Sequence, residues 1–179
     1  MRKKLLIGIV TLFTAFTLTA CGGEKEEANS HEGMDMNHSG SGEVPEGLKV
    51  AENPTFGVGS QAIIETDHME GMDGAEATIV GAFDTTAYAI SYTPTTGGER
   101  VSNHKWVIQE EIDDAGNEML EPGTEVTVKA DHMEGMDGAT AEIDSSEQTT
   151  VYMVDYTPTN GGEKVTNHKW VTESELSAK

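Results

Sequence analysis

Asp67-His68-Met69-Glu70-Gly71-Met72-Asp73-Gly74-Ala75 returns unchanged 64 residues later as Asp131-His132-Met133-Glu134-Gly135-Met136-Asp137-Gly138-Ala139. The correspondence runs without a gap from Asp67–Glu111 to Asp131–Glu175, and 28 of those 45 positions are identical. Only an internal duplication produces self-similarity of that kind at a fixed period. The chain is therefore expected to carry two copies of one small module, 48–114 and 115–179, with Asp113-Asp114-Ala115-Gly116-Asn117 between them.

Each copy reads as β. Thr124 to Ala130 alternates polar and apolar residues, as a half-buried strand does. The repeated nonapeptide, with two glycines three apart among acids, favours a loop. Ala139, Ala141 and Ile143 resume the alternation, as Ala75, Ala77 and Ile79 do in the first copy. Tyr152, Val154 and Tyr156 mark a third strand (Tyr88, Ile90 and Tyr92 in copy one), and Lys164 to Val171 a fourth. Thr-Pro-Thr-x-Gly-Gly between them is turn chemistry, because Pro fixes φ and Gly supplies positive values. The spacing predicts an all-β protein of two tandem small SH3-like β-barrels after a disordered tail. A unit of about 60 residues buries only about 60% of its unfolded surface, so the two are expected to pack together.

The N-terminus directs the chain outward. Arg2, Lys3 and Lys4 precede an apolar run from Leu5 to Phe16, the pattern of a signal peptide over residues 1–20. Leu18-Thr19-Ala20-Cys21-Gly22 resembles a bacterial lipobox, with Cys21 as the acylated residue. Cys21 is the one cysteine in the chain, so a mature protein anchored there has no thiol for a disulfide, a Cys-type zinc site or a nucleophile. Residues 21–47 are a polar spacer of Glu, Gly, Ser, Asn and His, with the composition of a disordered tail. Net charge is −21 for the whole chain. Such a field repels nucleic acid and concentrates cations.

The remaining chemistry lies in soft ligands. Each nonapeptide holds one His and two Met, giving His68, Met69 and Met72, and His132, Met133 and Met136. Imidazole and thioether together suit Cu(I) better than harder ions. His104 and His168, in the two Asn-His-Lys-Trp strands, are further candidate ligands or framework residues beside a core Trp. In the tail, His31, Met34, Met36 and His38 form a third soft cluster that has no core to serve. Two bland readings compete: Met is a frequent gap-filler in cores, and Asp67, Glu70 and Asp73 could offer oxygen to a hard ion such as Ca²⁺. The segment does not follow the EF-hand pattern, which weakens the second.

With these motifs in order, the chain resembles the YdhK-type lipoproteins, which carry two copies of a domain of unknown function (DUF1541). The shared elements are the lipobox, the acidic His/Met tail and the duplicated His-Met-Glu-Gly-Met-Asp-Gly-Ala…Tyr-Thr-Pro-Thr…Asn-His-Lys-Trp-Val. Some relatives are copper-binding surface lipoproteins associated with copper-exporting P-type ATPases. The resemblance implies a copper-resistance lipoprotein on the outer face of the cytoplasmic membrane, with such an ATPase as partner. No catalytic motif appears, neither a nucleophile elbow, His-Glu-x-x-His nor a phosphate-binding loop, so no enzyme is expected. The rival expectation is a cell-surface interaction module for wall components or a protein partner, with Trp106, Trp170 and the tyrosines forming an exposed aromatic groove.

Overall fold

The computed structural model of the protein describes residues 39–179, so Cys21 and the tail ligands His31, Met34, Met36 and His38 lie outside the described residues. The elements are β1 (Lys49–Val50), β2 (Gln61–Ile64), β3 (Glu76–Tyr92), β4 (Val101–Ile108), β5 (Glu125–Thr127), β6 (Thr140–Tyr156), β7 (Val165–Thr172) and β8 (Leu176–Ala178). Short 3-10 turns at Gln109–Glu111 and Glu173–Glu175 follow β4 and β7.

The two middle strands expected in each copy are one strand of 17 residues. Between Ile79 and Tyr88 there is no proline and only the single Gly81, and between Ile143 and Tyr152 there is neither proline nor glycine, so nothing stops the extended backbone. The strand expected over Thr124–Ala130 is shorter than its pattern, with β5 at three residues and Val128 held by an isolated bridge to Ile112.

β3 and β6 pair antiparallel along their whole length, from Ala77 opposite Tyr156 to Tyr92 opposite Ala141. This register lays the beginning of one copy's long strand beside the end of the other's. β4 pairs the second half of β3, and β7 pairs the second half of β6. β2 pairs the first half of β3, and β8 adds to the far edge of β2. The sheet order β5-β6-β3-β2-β8, with β1 and β4 on β3 and β7 on β6, is open. The two closed SH3-like barrels are therefore not what the described strands form. The physical reason is the length of β3 and β6, which makes them partners of one another instead of the walls of separate barrels.

The cores follow the register. One gathers Ile64, Met72, Ala77 and Ile79 from the first copy with Tyr152, Val154, Tyr156 and Val171 from the second. Another gathers Tyr88, Ile90, Tyr92 and Val107 with Val128, Met136, Ala141 and Ile143. A third packs Phe83, Ala87 and Ala89 with Val151, Met153 and both tryptophans. Each large side chain fully buried in this way stabilises the fold by about 1.5–3 kcal/mol. Neither copy completes a core of its own.

Candidate functional site

The duplicated loops have the same internal geometry. In the first, the Met72 N–H donates to the Met69 carbonyl at 3.1 Å and the Gly74 N–H to the Ile64 carbonyl at 2.8 Å; in the second, Met136 to Met133 and Gly138 to Val128 give the same distances. The turn splits each methionine pair. Met72 and Met136 are fully buried, one in each of two cores, while Met69 and Met133 are partly buried at the core edge and line a cavity. The expectation that both methionines of a loop reach an ion is corrected here. Met72 and Met136 are gap-fillers, driven inward by their position between two left-handed glycines.

Each loop is clamped by the other copy's turn. The Thr159 N–H donates to the Gly71 carbonyl and the Thr95 N–H to the Gly135 carbonyl, both at 2.9 Å. Gly71 and Gly135 have φ of +77° and +76°. A Cβ on Gly71 would stand 2.7 Å from Asn160 Oδ1, and one on Gly135 2.7 Å from Thr96 Oγ1. Glycine is required at both positions for backbone sign and for close approach.

The histidines of these loops meet carboxylates of the opposite copy. His68 Nε2 is 2.7 Å from Glu175 Oε1, and His132 Nε2 is 2.8 Å from Glu111 Oε1. The second oxygen of each carboxylate is also committed. Glu175 Oε2 accepts from the Trp106 indole at 2.8 Å and the Thr172 N–H at 3.0 Å. Glu111 Oε2 accepts from the Trp170 indole at 3.0 Å and the Ile108 N–H at 3.2 Å. Burial pushes the Glu175 carboxyl up, but the His68 hydrogen bond and charge, with the two N–H donors, override it and hold the group at about 2. Glu111 and Glu175 were not singled out in the sequence. A signal was available: they are the last identical pair of the alignment, standing alone after three mismatches.

The other pair of histidines is placed by a kink. Register shifts follow Tyr88 in β3 and Tyr152 in β6, and Asn103 and Asn167 take left-handed φ of 51° and 52°. Asn tolerates that conformation better than most residues. Their N–H groups are captured by Ser91 Oγ at 3.1 Å and Asp155 Oδ1 at 2.8 Å. His104 and His168 follow, each edge-on to a core tyrosine, Tyr92 and Tyr156.

All four histidines then line one cavity of about 800 Å³, together with Met69 and Met133. The His104 and His132 ring centroids are 6.4 Å apart. Burial first, then the neighbouring His132 and His68, lowers His104 to about 4, so its ring is neutral at neutral pH. Among the described residues three imidazole nitrogens are buried without a hydrogen-bond partner: His68 Nδ1, His132 Nδ1 and His104 Nε2. Among the described residues no three His, Cys, Asp or Glu side chains stand close enough to hold an ion by themselves. Asp67, Glu70 and Asp73, the oxygen set weighed for a hard cation, are all exposed. Trp106 and Trp170 already carry a lysine ammonium over the ring, at 5.0 and 5.9 Å.

Comparison with known proteins agrees with the duplication. The family described as "Protein of unknown function (DUF1541)" matches residues 58–109 and again 122–173. A Bacillus subtilis (strain 168) protein carrying the name "Uncharacterized protein YdhK" is 60% identical over 187 residues, covering 99% of this chain and 90% of that relative. The crystal structure of a DUF1541 family protein, ydhK, from Bacillus subtilis subsp. subtilis str. 168 is 69% identical with a TM-score of 0.78. It matches 80% of this chain and 98% of that one. The solution NMR structure of the ydhK C-terminal domain from B. subtilis is 71% identical with a TM-score of 0.66, over 69% of this chain and 94% of that one.

Proposed function

The chain belongs to the DUF1541 family, and on that premise we propose that it is an exported copper-binding lipoprotein that takes up Cu(I) in the cavity shared by its two copies. Anchored through Cys21 on the outer face of the cytoplasmic membrane, it buffers the ion or exchanges it with a copper-exporting P-type ATPase, and so serves copper resistance. The observation that carries this reading is that three histidines with a buried, unpartnered ring nitrogen, His68, His104 and His132, line one cavity together with Met69 and Met133. A buried polar atom left unpaired costs about 1–3 kcal/mol, and a cation with an affinity for nitrogen and sulfur would recover that cost. A hard ion gains little there, since the loop carboxylates face solvent. Thioether and imidazole ligation is labile, which suits transfer.

The rival reading, a surface interaction module, asked for an exposed aromatic groove. Trp106, Trp170, Tyr88, Tyr92, Tyr152 and Tyr156 are all buried, so no specific observation favours it.

The test is an anaerobic Cu(I) titration of the mature chain against a chromogenic chelator, with His31, Met34, Met36 and His38 replaced by Ser to silence the tail. Tight competition is expected, and it should vanish when His68 and His132 are both changed to Asn. If the chelator retains all the copper in the tail-silenced chain, the cavity is not a Cu(I) site.

A further inference from the structure

Two buried glutamates that belong to no recognised motif reach across the duplication to the two loop histidines. Each uses one oxygen for the imidazole and the other for an indole and a backbone N–H. A carboxylate at 2.7–2.8 Å accepts, so the proton of the neutral ring sits on Nε2 and its lone pair on Nδ1. Both Nδ1 atoms are buried and unpartnered, on side chains only 8% and 9% exposed.

We propose that Glu111 and Glu175 are positioning residues that fix the tautomer of His132 and His68, so that each copy's loop offers Nδ1 to a metal ion only because the other copy holds its Nε2. The tautomer half of this inference stands on the hydrogen bonds alone; the metal half rests on the reading of the cavity as a Cu(I) site. A carboxylate behind a ligating imidazole fixes ring orientation and raises its basicity, and losing it typically costs 10–100-fold in metal affinity.

The network makes the consequence of an amide directional. In Glu175→Gln the two donors on the Oε2 side, Trp106 and the Thr172 N–H, require an oxygen there. The amide NH₂ is thereby turned toward His68 Nε2, which must become an acceptor, moving the ring proton to Nδ1 and removing the lone pair that a metal ion would need. Thr66, whose hydroxyl donates to Glu175 Oε1 at 3.3 Å, can rotate to accept instead. The same logic applies to Glu111→Gln through Trp170 and the Ile108 N–H.

The experiment is long-range ¹H–¹⁵N correlation NMR of the histidine rings in the metal-free mature chain, under mildly alkaline conditions, followed by Cu(I) titration of the same samples. In the unaltered protein His68 and His132 should both show protonated Nε2 and unprotonated Nδ1. Glu175→Gln should invert His68 and leave His132 unchanged, and Glu111→Gln should do the reverse, each with a 10–100-fold loss of Cu(I) affinity. Trp106→Phe loosens the same network but keeps the carboxylate, so the His68 tautomer should survive in it. Tautomers that ignore the Gln substitutions, or that invert equally in Trp106→Phe, overturn the positioning role. Correct tautomers in an unaltered chain that takes up no Cu(I) leave that role standing and refute the metal reading instead.

Discussion

The two halves of the cavity share an inner construction and differ in what covers them. Inside, His68–Glu175–Trp106 and His132–Glu111–Trp170 are reciprocal copies with nearly equal distances. Outside, Ser39 to Gly42 lies over one half only. The Gly40 N–H donates to the Thr166 carbonyl at 2.9 Å, and the Thr166 N–H to Ser39 Oγ at 3.0 Å. No such contact covers Ser102 and Asn103 among the described residues, and both are exposed. His168 is buried and His104 is only partly so. A second difference lies behind the glutamates, where Thr66 assists Glu175 and the matching residue is Ala130. The lesson is that duplication preserved the groups crossing between copies, because each is needed by the other, and left the rim free to diverge.

The largest effects should ignore the difference between halves. Met72→Ala and Met136→Ala each empty a fully buried site and should cost about 2–5 kcal/mol. Because both cores draw on both copies, urea unfolding should stay a single transition in either variant. Two separable transitions would mean that the copies are independent after all.

Next come the clamps. Gly71→Ala and Gly135→Ala should each cost more than Gly74→Ala or Gly138→Ala. All four have positive φ, but only the first two would push a Cβ into the opposite turn. The left-handed conformation alone is worth roughly 1–2 kcal/mol, so equal losses at all four sites would show that the cross-copy contact adds nothing.

Acid should separate the two halves by proton linkage. His104 sits at about 4 in the folded chain against an ordinary 6.5, with burial first and then His132 and His68 disfavouring its charge, and Glu111 opposing them. The folded state thus binds fewer protons than the unfolded one between those values, and stability falls as pH drops from 6.5 to about 4. Glu175, held at about 2 against 4.5, adds a further loss as pH falls from 4.5 toward 2. Chemical denaturation of metal-free protein at several pH values should show both legs, and His104→Gln should flatten the first. An unchanged first leg in that variant would assign the loss to another group.

The smallest effect belongs to the rim. A Cβ on Gly40 would stand 2.5 Å from the Asn167 carbonyl oxygen. Gly40→Ala should therefore loosen that cover, cost at most about 0.5–1 kcal/mol, and shift the NMR signals of His168 while leaving those of His104 in place.

These contrasts also explain what could be read from the chain itself. The duplication, the β class, the soft-ligand loops and the four module histidines were legible because identity, alternation and residue chemistry are local properties. The fusion of two expected strands into β3 and β6 was not: their middle segments, Val80–Asp84 and Asp144–Gln148, match at no position, and Gly81 in one and Asp144-Ser145-Ser146 in the other read as a break and not as continuing strand. The exchange of halves between copies was equally hidden. Any pairing of identical modules satisfies the same pattern, and only the register of β3 against β6 selects the crossed one. That crossing is also why Glu111 and Glu175 escaped notice: each ends its own copy and serves a histidine of the other, 21 residues after Glu111 and 107 before Glu175. The split of Met69 from Met72 depends on a loop geometry that two glycines permit but do not dictate.

The most direct test of the proposal that the shared cavity takes up Cu(I) is methyl NMR of the methionines as the ion is added to the tail-silenced chain. The account predicts that the Met69 and Met133 methyl signals move together with the His68 and His132 rings, while Met72 and Met136 stay fixed in their cores. Movement of Met72 and Met136 with Met69 and Met133 still would contradict it, as would no movement in any of the four.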